Sequence, residues 1–349
     1  MQPDRSFWSG RTVCVTGGTG FLGYHLVQAL GEVGAQVRVF ALDPGPNHPI
    51  RQFGHVELIS GDVLNADAVR RAVGGCSMVI HAAGIVAVWG PALRKMWPVH
   101  VDGTRNVLAA LHPRARMIHT SSVVAVGASR TPAVLDEDSP FNLSHVKLAY
   151  VHAKRAAEQL ALASDRDVVA VNPAYLIGPD DYERSIMGQL CHRYWRGRAP
   201  VAPPGGLCLV DVRDVAVGHL IAAERGQSGQ RYILGGENHD YKSLSRMLAA
   251  AAGFRPRMIP RLPWSIFAAT ATINEARGRL RGKEPYPSFA HARLNRYFWY
   301  FSSERARREL GYEPRSVHES LADTYSWFTK RERFHVRGFN HWLLRPAAS

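Results

Sequence analysis

A glycine-rich turn near the N-terminus constrains the fold of this chain more than any other feature. It follows the apolar residues 13–16 and contains Gly17, Gly20 and Gly23. In a strand, turn and helix of this kind, the first glycine permits a tight turn and the second lets backbone N–H groups approach an anion. The third lets helix and strand pack closely. The spacing is GxxGxxG rather than GxGxxG, so a turn that binds no ligand stays an alternative here. The stretch predicts a pyrophosphate-binding turn.

The region from residue 11 to 172 alternates short apolar runs with helical patterns, which is typical of a parallel sheet covered on both faces. We therefore predict an α/β fold with a Rossmann-type doubly wound parallel sheet and a smaller C-terminal substrate lobe. The predicted strands lie near residues 12–16, 36–41, 56–60, 78–82, 116–121 and 167–171. The predicted helices lie near residues 21–33, 65–73, 93–111 and 144–164.

The end of the second predicted strand bears on the choice of dinucleotide. An acidic residue about twenty positions after the glycine turn binds the adenosine ribose, whereas an arginine there receives the 2′-phosphate of NADP. Asp43 stands here beside Leu42, with no arginine adjacent. This favours NAD as the cofactor. NADP stays an alternative, since Arg51 or His48 could fold back across the intervening loop.

Three further motifs follow in order along the chain: Gly61-Asp62-Val63, His81-Ala82-Ala83-Gly84 and Tyr150-Val151-His152-Ala153-Lys154. With the glycine turn they resemble the extended short-chain dehydrogenase/reductase family, of the NAD-dependent epimerase/dehydratase type, over roughly residues 10 to 330. The combination is far more specific than the YxxxK pattern alone.

The resemblance implies a cofactor site in which Asp62 bonds the adenine amino group and Val63 packs on the ring. With the glycine turn and Asp43, the expected cofactor-binding residues are Gly17, Gly20, Phe21, Leu22, Gly23, Asp43, Asp62, Val63, Ala82, Ala83, Gly84, Tyr150, Lys154 and Pro173.

The resemblance also implies that Ser122, Tyr150 and Lys154 are catalytic. A phenol with a pKa near 10 is a poor acid/base catalyst at neutral pH unless its anion is stabilised. An ammonium about 4 Å away lowers such a pKa by at most two to three units. Residues four apart share a helix face, so Tyr150 and Lys154 can point into one cleft. Glu158, one turn further, is expected to be solvated, with pairing to Lys154 as the alternative.

One position departs from the family pattern. The stretch usually written NVxGT is His100-Val101-Asp102-Gly103-Thr104 here, so His100 replaces an asparagine. Proton-relay details that rest on this asparagine do not carry over. We expect His100 to be a core histidine that bonds to the backbone.

From Asn172 onward, segments 172–179, 209–216 and 229–238 are similar to one subgroup of the family. It contains hopanoid-associated sugar epimerase-like proteins, dihydroflavonol reductases and 3β-hydroxysteroid dehydrogenases. The later chain is also rich in large apolar side chains, which either pack the lobe or line a pocket for a steroid-, terpenoid- or flavonoid-like substrate. These residues are Tyr182, Met187, Tyr194, Trp195, Trp264, Phe267, Tyr286, Phe289, Tyr297, Phe298, Trp299 and Tyr300, and Trp89 and Trp97 flank the cleft side of the fourth predicted strand.

Composition limits the partners and the compartment. The net charge of +14 comes mostly from arginine spread along the chain, and no zinc finger or RRM motif accompanies it. We therefore expect a small-molecule substrate and no nucleic acid. The four cysteines are scattered, which predicts reduced thiols rather than disulfides or a metal site. No apolar run is long enough for a membrane span and no signal peptide is evident, so we expect a cytoplasmic protein.

The predicted domains are a dinucleotide-binding core (1–178), a substrate-binding lobe (179–330, with about 207–235 returning to the core) and a basic aromatic tail (331–349). For the tail we expect docking on the chain's own surface, contact with a second subunit in a homodimer, or peripheral contact with an anionic membrane, in that order. The predicted activity is that of an NAD(P)-dependent dehydrogenase or reductase. A nucleotide-sugar epimerase/dehydratase and a non-catalytic NAD(P)-binding protein are the alternatives.

Overall fold

A parallel sheet of seven strands carries most of the structure. This computed structural model describes residues 2–196, 202–256, 263–282, 284–332 and 344–346. The strands in these ranges are β1 Thr12–Thr16, β2 Gln36–Ala41, β3 Val56–Ser60, β4 Met78–His81, β5 Arg116–Thr120, β6 Val134–Leu135, β7 Asp167–Pro173, β8 Tyr175–Ile177, β9 Gly206–Asp211, β10 Arg231–Leu234, β11 Glu237–Asp240, β12 Phe254–Pro256, β13 Phe298–Phe301 and β14 Leu344–Pro346. The α-helices are α1 Arg5–Trp8, α2 Phe21–Glu32, α3 Ala66–Val73, α4 Gly103–Ala110, α5 Ala149–Leu162, α6 Ile186–Trp195, α7 Val212–Arg225, α8 Tyr241–Ala251, α9 Trp264–Arg281, α10 Phe289–Leu294, α11 Glu304–Leu310 and α12 Val317–Glu332.

The order of the strands across the large sheet is β10, β7, β5, β4, β1, β2, β3, and each neighbouring pair is parallel. Because the chain moves outward in one direction from β1 to β3 and in the other from β4 onward, a crevice opens between the carboxyl ends of β1 and β4. This is a Rossmann-type doubly wound sheet, so the predicted fold class is confirmed.

Burial on both faces explains the apolar strands. In β1, Val13 and Val15 pack with α2 and α7 on one face, while Cys14 packs with α3, α4 and α5 on the other. All three side chains are fully buried. A strand covered on both sides carries continuous apolar residues rather than an alternating pattern. The predicted strands agree with the observed ones to within two residues.

The predicted helix over 93–111 is wrong in its first half. A 3₁₀ turn covers Pro91–Lys95, one π-helical turn covers Pro98–Asp102, and the α-helix begins only at Gly103. Pro98 has no N–H to donate within the helix and its ring obstructs the preceding turn. The N–H of Gly103 then reaches the carbonyl of Pro98 five residues earlier, which is the π-helical hydrogen bond.

The helix that carries the YxxxK motif begins at Ala149 instead of residue 144. The preceding residues form short turns, in which Val146 N–H donates to Leu143 and Leu148 N–H donates to Val146. Leu148 has an extended backbone and ends these turns. As a result Tyr150 lies in the first turn of α5, close to the carboxyl end of the sheet.

A second, smaller sheet supports the C-terminal lobe. Its core strand β9 is antiparallel to β11 and parallel to β8 and β13, and β6 extends the sheet beside β13. In contrast, β10 joins the large sheet beside β7 and α7 packs against α2. The stretch near 207–235 therefore contributes to both parts, with β9 in the small sheet.

Only part of the predicted tail can be described. Strand β14 pairs in antiparallel fashion with β12 of the same chain. Residues 333–343 and 347–349 lie outside the described residues, and so does most of the predicted interaction segment. In the part of the chain that the structure describes, no helix combines the length and hydropathy needed to cross a bilayer.

Candidate active site

The glycine turn lies at the crevice between β1 and β4. Gly17 has a positive φ of 71°, and a Cβ atom on it would lie 2.7 Å from the Cα of Ala83. A Cβ on Gly23 would come within 2.1 Å of the Gly17 carbonyl oxygen. Only glycine fits either position without moving the backbone. The turn therefore holds the start of α2 directly against the end of β1.

The start of α2 fits a bound pyrophosphate. Gly20 is the N-cap of this helix and offers no side chain to cap it. A Cβ on Gly20 would meet nothing closer than 3.5 Å, so the space beside it is open. Phe21 and Leu22, the first helical residues, line a large cavity. A helix N-terminus without a side-chain cap attracts anions through its N–H groups and its dipole.

The predicted ribose-binding residue Asp43 lies in an exposed ion pair. Its Oδ1 accepts hydrogen bonds from Arg51 Nη2 at 2.8 Å and from the Gly45 N–H at 3.0 Å. Arg51 thus folds back to the end of β2, as one sequence alternative required. His48 bonds instead to the Thr19 carbonyl. An acid and an arginine therefore lie side by side at the end of β2. This is where NAD carries a ribose hydroxyl and NADP carries a 2′-phosphate.

The predicted adenine-side residues lie along the same crevice. Val63 is buried and packs against Gly103, while Asp62 Oδ1 accepts from the Leu64 N–H at 3.0 Å. The Ala83 N–H donates to Thr16 Oγ1 at 3.1 Å. These bonds fix the loops that follow β3 and β4.

Ser122 and Tyr150 meet at the carboxyl end of β5. Ser122 lies two residues beyond the strand, and its hydroxyl lies close to the Tyr150 phenol. Burial raises the pKa of Tyr150 to about 12, and the nearby Ser122 hydroxyl opposes this shift only in part. A phenol of this kind stays protonated at neutral pH and is ready to donate a hydrogen bond to a substrate oxygen.

Lys154 lies one turn after Tyr150 on α5 and is only 7% exposed. Its Nζ donates to the Thr120 carbonyl at 2.8 Å. Loss of water lowers the pKa of Lys154 to about 8, while the nearby Glu158 carboxylate favours the charged form. In this arrangement the ammonium bonds to the strand rather than to the phenol, and the expected lowering of the Tyr150 pKa is not observed.

The prediction that Glu158 is solvated is wrong. Its side chain is 1% exposed, and its carboxylate pairs with Arg231 Nη1 at 3.1 Å. Asn172 Nδ2 donates both to this carboxylate and to the Ser122 carbonyl. Glu158 therefore belongs to a buried polar network that reaches the backbone of Ser122.

His100 is a buried histidine that bonds to the backbone, as expected. Its Nε2 lies 2.8 Å from the Ile85 carbonyl oxygen, so this nitrogen carries the proton. Burial and the charge of Lys154 lower the pKa of His100 to about 3. The ring also stands edge-on to Tyr150, with 5.7 Å between ring centroids. In place of the family's asparagine, the site thus has a neutral aromatic wall against the phenol.

Sequence analysis missed three further buried histidines behind Lys154: His81, His119 and His219. Burial, and secondarily the charge of Lys154, lowers the pKa of His81 to about 3 and that of His219 to about 4. His81 bonds Thr16 and Thr104, and His219 bonds Thr120 and the Val215 carbonyl. Each histidine lies within or at the end of a run of apolar residues. In the sequence such a run indicates a strand or a helix and gives no sign of a functional site. The group surrounds the ammonium with neutral rings.

A cavity of about 1,410 Å³ connects the cofactor crevice to the C-terminal lobe. Of the predicted site residues it is lined by Phe21, Leu22, Ala82, Gly84, Ser122, Tyr150, Lys154 and Pro173. Of the predicted large apolar residues it is lined by Trp89, Met187, Tyr194, Phe267, Tyr286 and Phe289. Trp195 and Trp299 are instead buried in the core. Some of the large apolar residues therefore line the cavity, and others pack the core of the protein.

Comparison with known proteins agrees with this geometry. Residues 14–193 match the model of the 3-beta hydroxysteroid dehydrogenase/isomerase family. A protein of Synechocystis sp. that carries the name of a dihydroflavonol 4-reductase is 33% identical over 333 residues, which cover 92% of this chain and 96% of the relative. Sterol demethylase protein B of Methylococcus capsulatus is 30% identical over 330 residues, or 92% and 99% of the two chains. The crystal structure of gox2253 superposes with a TM-score of 0.81 at 32% identity, covering 93% of this chain and all of the other.

Proposed function

The chain belongs to the 3-beta hydroxysteroid dehydrogenase/isomerase family, and on this basis we propose that it interconverts a hydrophobic secondary alcohol and its ketone with NAD. By that membership it is an NAD(P)-dependent oxidoreductase. The observation that carries the finer proposal is the Ser122–Tyr150 pair at the inner end of a large apolar cavity.

Each residue has a distinct part in the proposed reaction. In the oxidising direction, Tyr150 first gives up its proton to solvent. The carbinol carbon then loses a hydride while its hydroxyl proton passes to the Tyr150 phenolate. Ser122 holds the substrate oxygen in hydrogen-bond range of the phenol. NAD supplies the hydride acceptor at C4 of its nicotinamide. Lys154 supplies positive charge behind the phenol, which stabilises the anion that forms when Tyr150 gives up its proton. Reduction of the ketone is the reverse of these steps.

The lining of the cavity supports a bulky apolar substrate. Ligand pockets are commonly about 300–1,000 Å³, and the 1,410 Å³ here includes part of the cofactor crevice as well as the space for a substrate. The aromatic side chains that line it favour ring systems or long alkyl chains over sugars. A steroid-, terpenoid- or flavonoid-like substrate therefore fits the proposal.

A nucleotide-sugar epimerase is the alternative, and the ion pairs weigh against it. Such an enzyme must hold a diphosphate with several converging cationic donors. Two arginines in the second half of the chain are already paired within the protein. Arg213 bonds Asp211 and Asp323, each at 2.7 Å, and Arg231 bonds Glu158. Arg184 and Arg193 do line the cavity, which keeps the alternative testable.

We infer a cytoplasmic setting from the four cysteines, which are all buried and unpaired. A small-molecule substrate is the partner that this family requires. A homodimer, a peripheral membrane contact through the tail and the lack of a nucleic-acid partner stay predictions.

An assay with purified protein separates the two activities. Mixed with NAD and a panel of hydrophobic secondary alcohols that includes sterols, the protein should produce NADH in proportion to ketone. Mixed with UDP-sugars, it should produce no epimer. The protein could instead carry NAD that does not exchange and interconvert UDP-sugars without accumulating NADH. That result would show that the dehydrogenase proposal is wrong and that the protein is an epimerase.

A further inference from the structure

Arg193, in the wall of the cavity, has no acid paired with it among the described residues. Arg193 lies near the end of α6, is partly buried and lines the cavity. Its guanidinium carbon sits 3.9 Å from the centroid of the Tyr286 ring. Within the ranges that the structure describes, it forms no ion pair with a carboxylate. Stacking on an aromatic face leaves the in-plane N–H donors of a guanidinium available for a planar acceptor.

Arg293 also lines the cavity and stacks on Phe289 without an ion pair among the described residues, whereas another arginine of the wall is paired. Arg279 lines the same cavity but bonds Glu275 at 2.9 Å. The stretches 197–201, 257–262 and 333–343, which the structure does not describe, contain no aspartate or glutamate. Among the described side chains, Arg193 is thus a cation at the cavity with no acid to neutralise it. Because burying an unpaired charge is costly, an anionic group from outside the chain is the natural partner.

His291 provides a second donor beside Arg193. The backbone N–H of Ser288 donates to His291 Nδ1 at 3.2 Å, so the ring proton must be on Nε2. Burial and the charge of Arg193 lower the pKa of His291 to about 4, which keeps the ring neutral. The ring lines the cavity and lies 5.1 Å from the ring of Tyr286. Arg193, Tyr286 and His291 therefore form a polar corner of the cavity.

We propose that this corner binds a carboxylate, so that the substrate is a hydrophobic hydroxy or oxo acid. The inference rests on the proposed function for the reacting hydroxyl and adds the recognition of the second group. One guanidinium and one neutral imidazole suit a single carboxylate, whereas a diphosphate needs more cationic donors. The carboxylate takes no part in the hydride transfer and acts as an anchor.

Binding can be tested without any turnover. Dodecanoate and 1-dodecanol have the same chain length and differ in the head group. Their affinities can be measured by quenching of tryptophan fluorescence, since Trp89 lines the cavity. A charge-assisted contact predicts that dodecanoate binds about 10- to 100-fold more tightly than the alcohol. In Arg193→Gln this preference should fall at least tenfold, whereas in Arg279→Gln it should persist. Equal affinities in the parent, or a preference that survives Arg193→Gln, would overturn the proposal.

Turnover separates this inference from the proposed function. The substrates are 3-hydroxydodecanoate and 3β-hydroxy-5-cholenoate, each compared with its methyl ester, with NAD as acceptor. The acid should have the lower KM in at least one pair, and Arg193→Gln should reduce that acid-over-ester ratio about tenfold or more. If esters and acids react equally well, the carboxylate anchor is wrong while the dehydrogenase stands. If dodecanoate binds through Arg193 but none of the four compounds nor the alcohol panel is oxidised, the anchor stands and the proposed function fails.

Discussion

Glu158 and Arg231 form a buried ion pair, with 3.1 Å between Glu158 Oε1 and Arg231 Nη1. Glu158 lies on α5 one turn after Lys154, and Arg231 lies on β10 at the edge of the large sheet. The pair ties the helix that carries Tyr150 and Lys154 to a strand far along the chain. Through Asn172 it also reaches the backbone of Ser122. We conclude that the positions of the three catalytic candidates depend on this pair.

Replacing Glu158 with glutamine should destabilise the protein. The change keeps the shape of the side chain but leaves the Arg231 guanidinium, which is only 16% exposed, without its counter-charge. Breaking one side of a buried pair typically costs about 3–5 kcal/mol. We expect a loss of that size in the free energy of unfolding measured with urea.

The matched control is Glu57→Gln. Glu57 also pairs with an arginine, Arg38, at 2.8 Å, but its side chain is 60% exposed. An exposed pair contributes about 0–1 kcal/mol. Equal losses in the two variants would contradict the structural importance of the Glu158 pair.

Replacing Tyr150 with phenylalanine should remove turnover and leave cofactor binding nearly intact. The variant keeps the ring that packs against His100 but loses the hydroxyl that exchanges the proton. Loss of acid/base catalysis lowers kcat by roughly 10²- to 10⁴-fold. NADH affinity is measured by fluorescence and turnover by NADH absorbance. Tyr325→Phe, on α12 against Trp195, is the control. Near-full turnover by the Tyr150 variant would show that Tyr150 is not the proton-exchanging residue.

The residues at the end of β2 should make NAD the preferred cofactor. Asp43 is placed to accept from ribose hydroxyls and repels a 2′-phosphate, while its pairing holds Arg51 nearby. Asp43→Ser removes the repulsion and leaves Arg51 without its acid. We expect the ratio of NADH to NADPH affinity to fall in this variant, and to fall further when Leu42→Arg is added. Titration of both cofactors checks this, with Asp67→Asn on α3 as the control. A parent that binds NADPH more tightly would refute the preference.

The large sheet was predictable because its determinants are local. Apolar strands such as β1, separated by helical patterns and a glycine turn, indicate a parallel sheet without any knowledge of distant contacts. The YxxxK spacing likewise defines which residues share a helix face. Pro98 is a local signal against a continuous helix over 93–111. The π-helical turn that forms there depends on packing against α5, which the sequence does not show.

The remaining features depend on contacts between distant residues. Glu158 looks like a surface residue in sequence because its partner Arg231 is 73 positions away. The small sheet joins β9 to β13, which lies about ninety residues later, so no periodic pattern marks the pairing. Arg193 is one of many arginines in a chain with a charge of +14, and only the three-dimensional structure shows that it lacks an acid among the described residues.

The histidines behind Lys154 should make the protein sensitive to acid. An exposed histidine takes up a proton near pH 6.5, whereas burial, with the charge of Lys154 as a further cause, lowers the pKa of His219 to about 4. Between these values the unfolded chain binds a proton that the folded protein does not. The stabilisation is therefore complete above pH 6.5 and is lost as the pH falls toward 4, by about 1.4 kcal/mol per pH unit for each such histidine.

His219→Gln removes one of these groups while its amide can still bond Thr120 and the Val215 carbonyl. The slope of the unfolding free energy against pH, measured with urea between pH 6 and 4.5, should then decrease by about this amount. His318→Gln, at an exposed position, should leave the slope unchanged. If the unfolding free energies of His219→Gln and the parent change with pH in parallel, His219 does not contribute to the acid sensitivity.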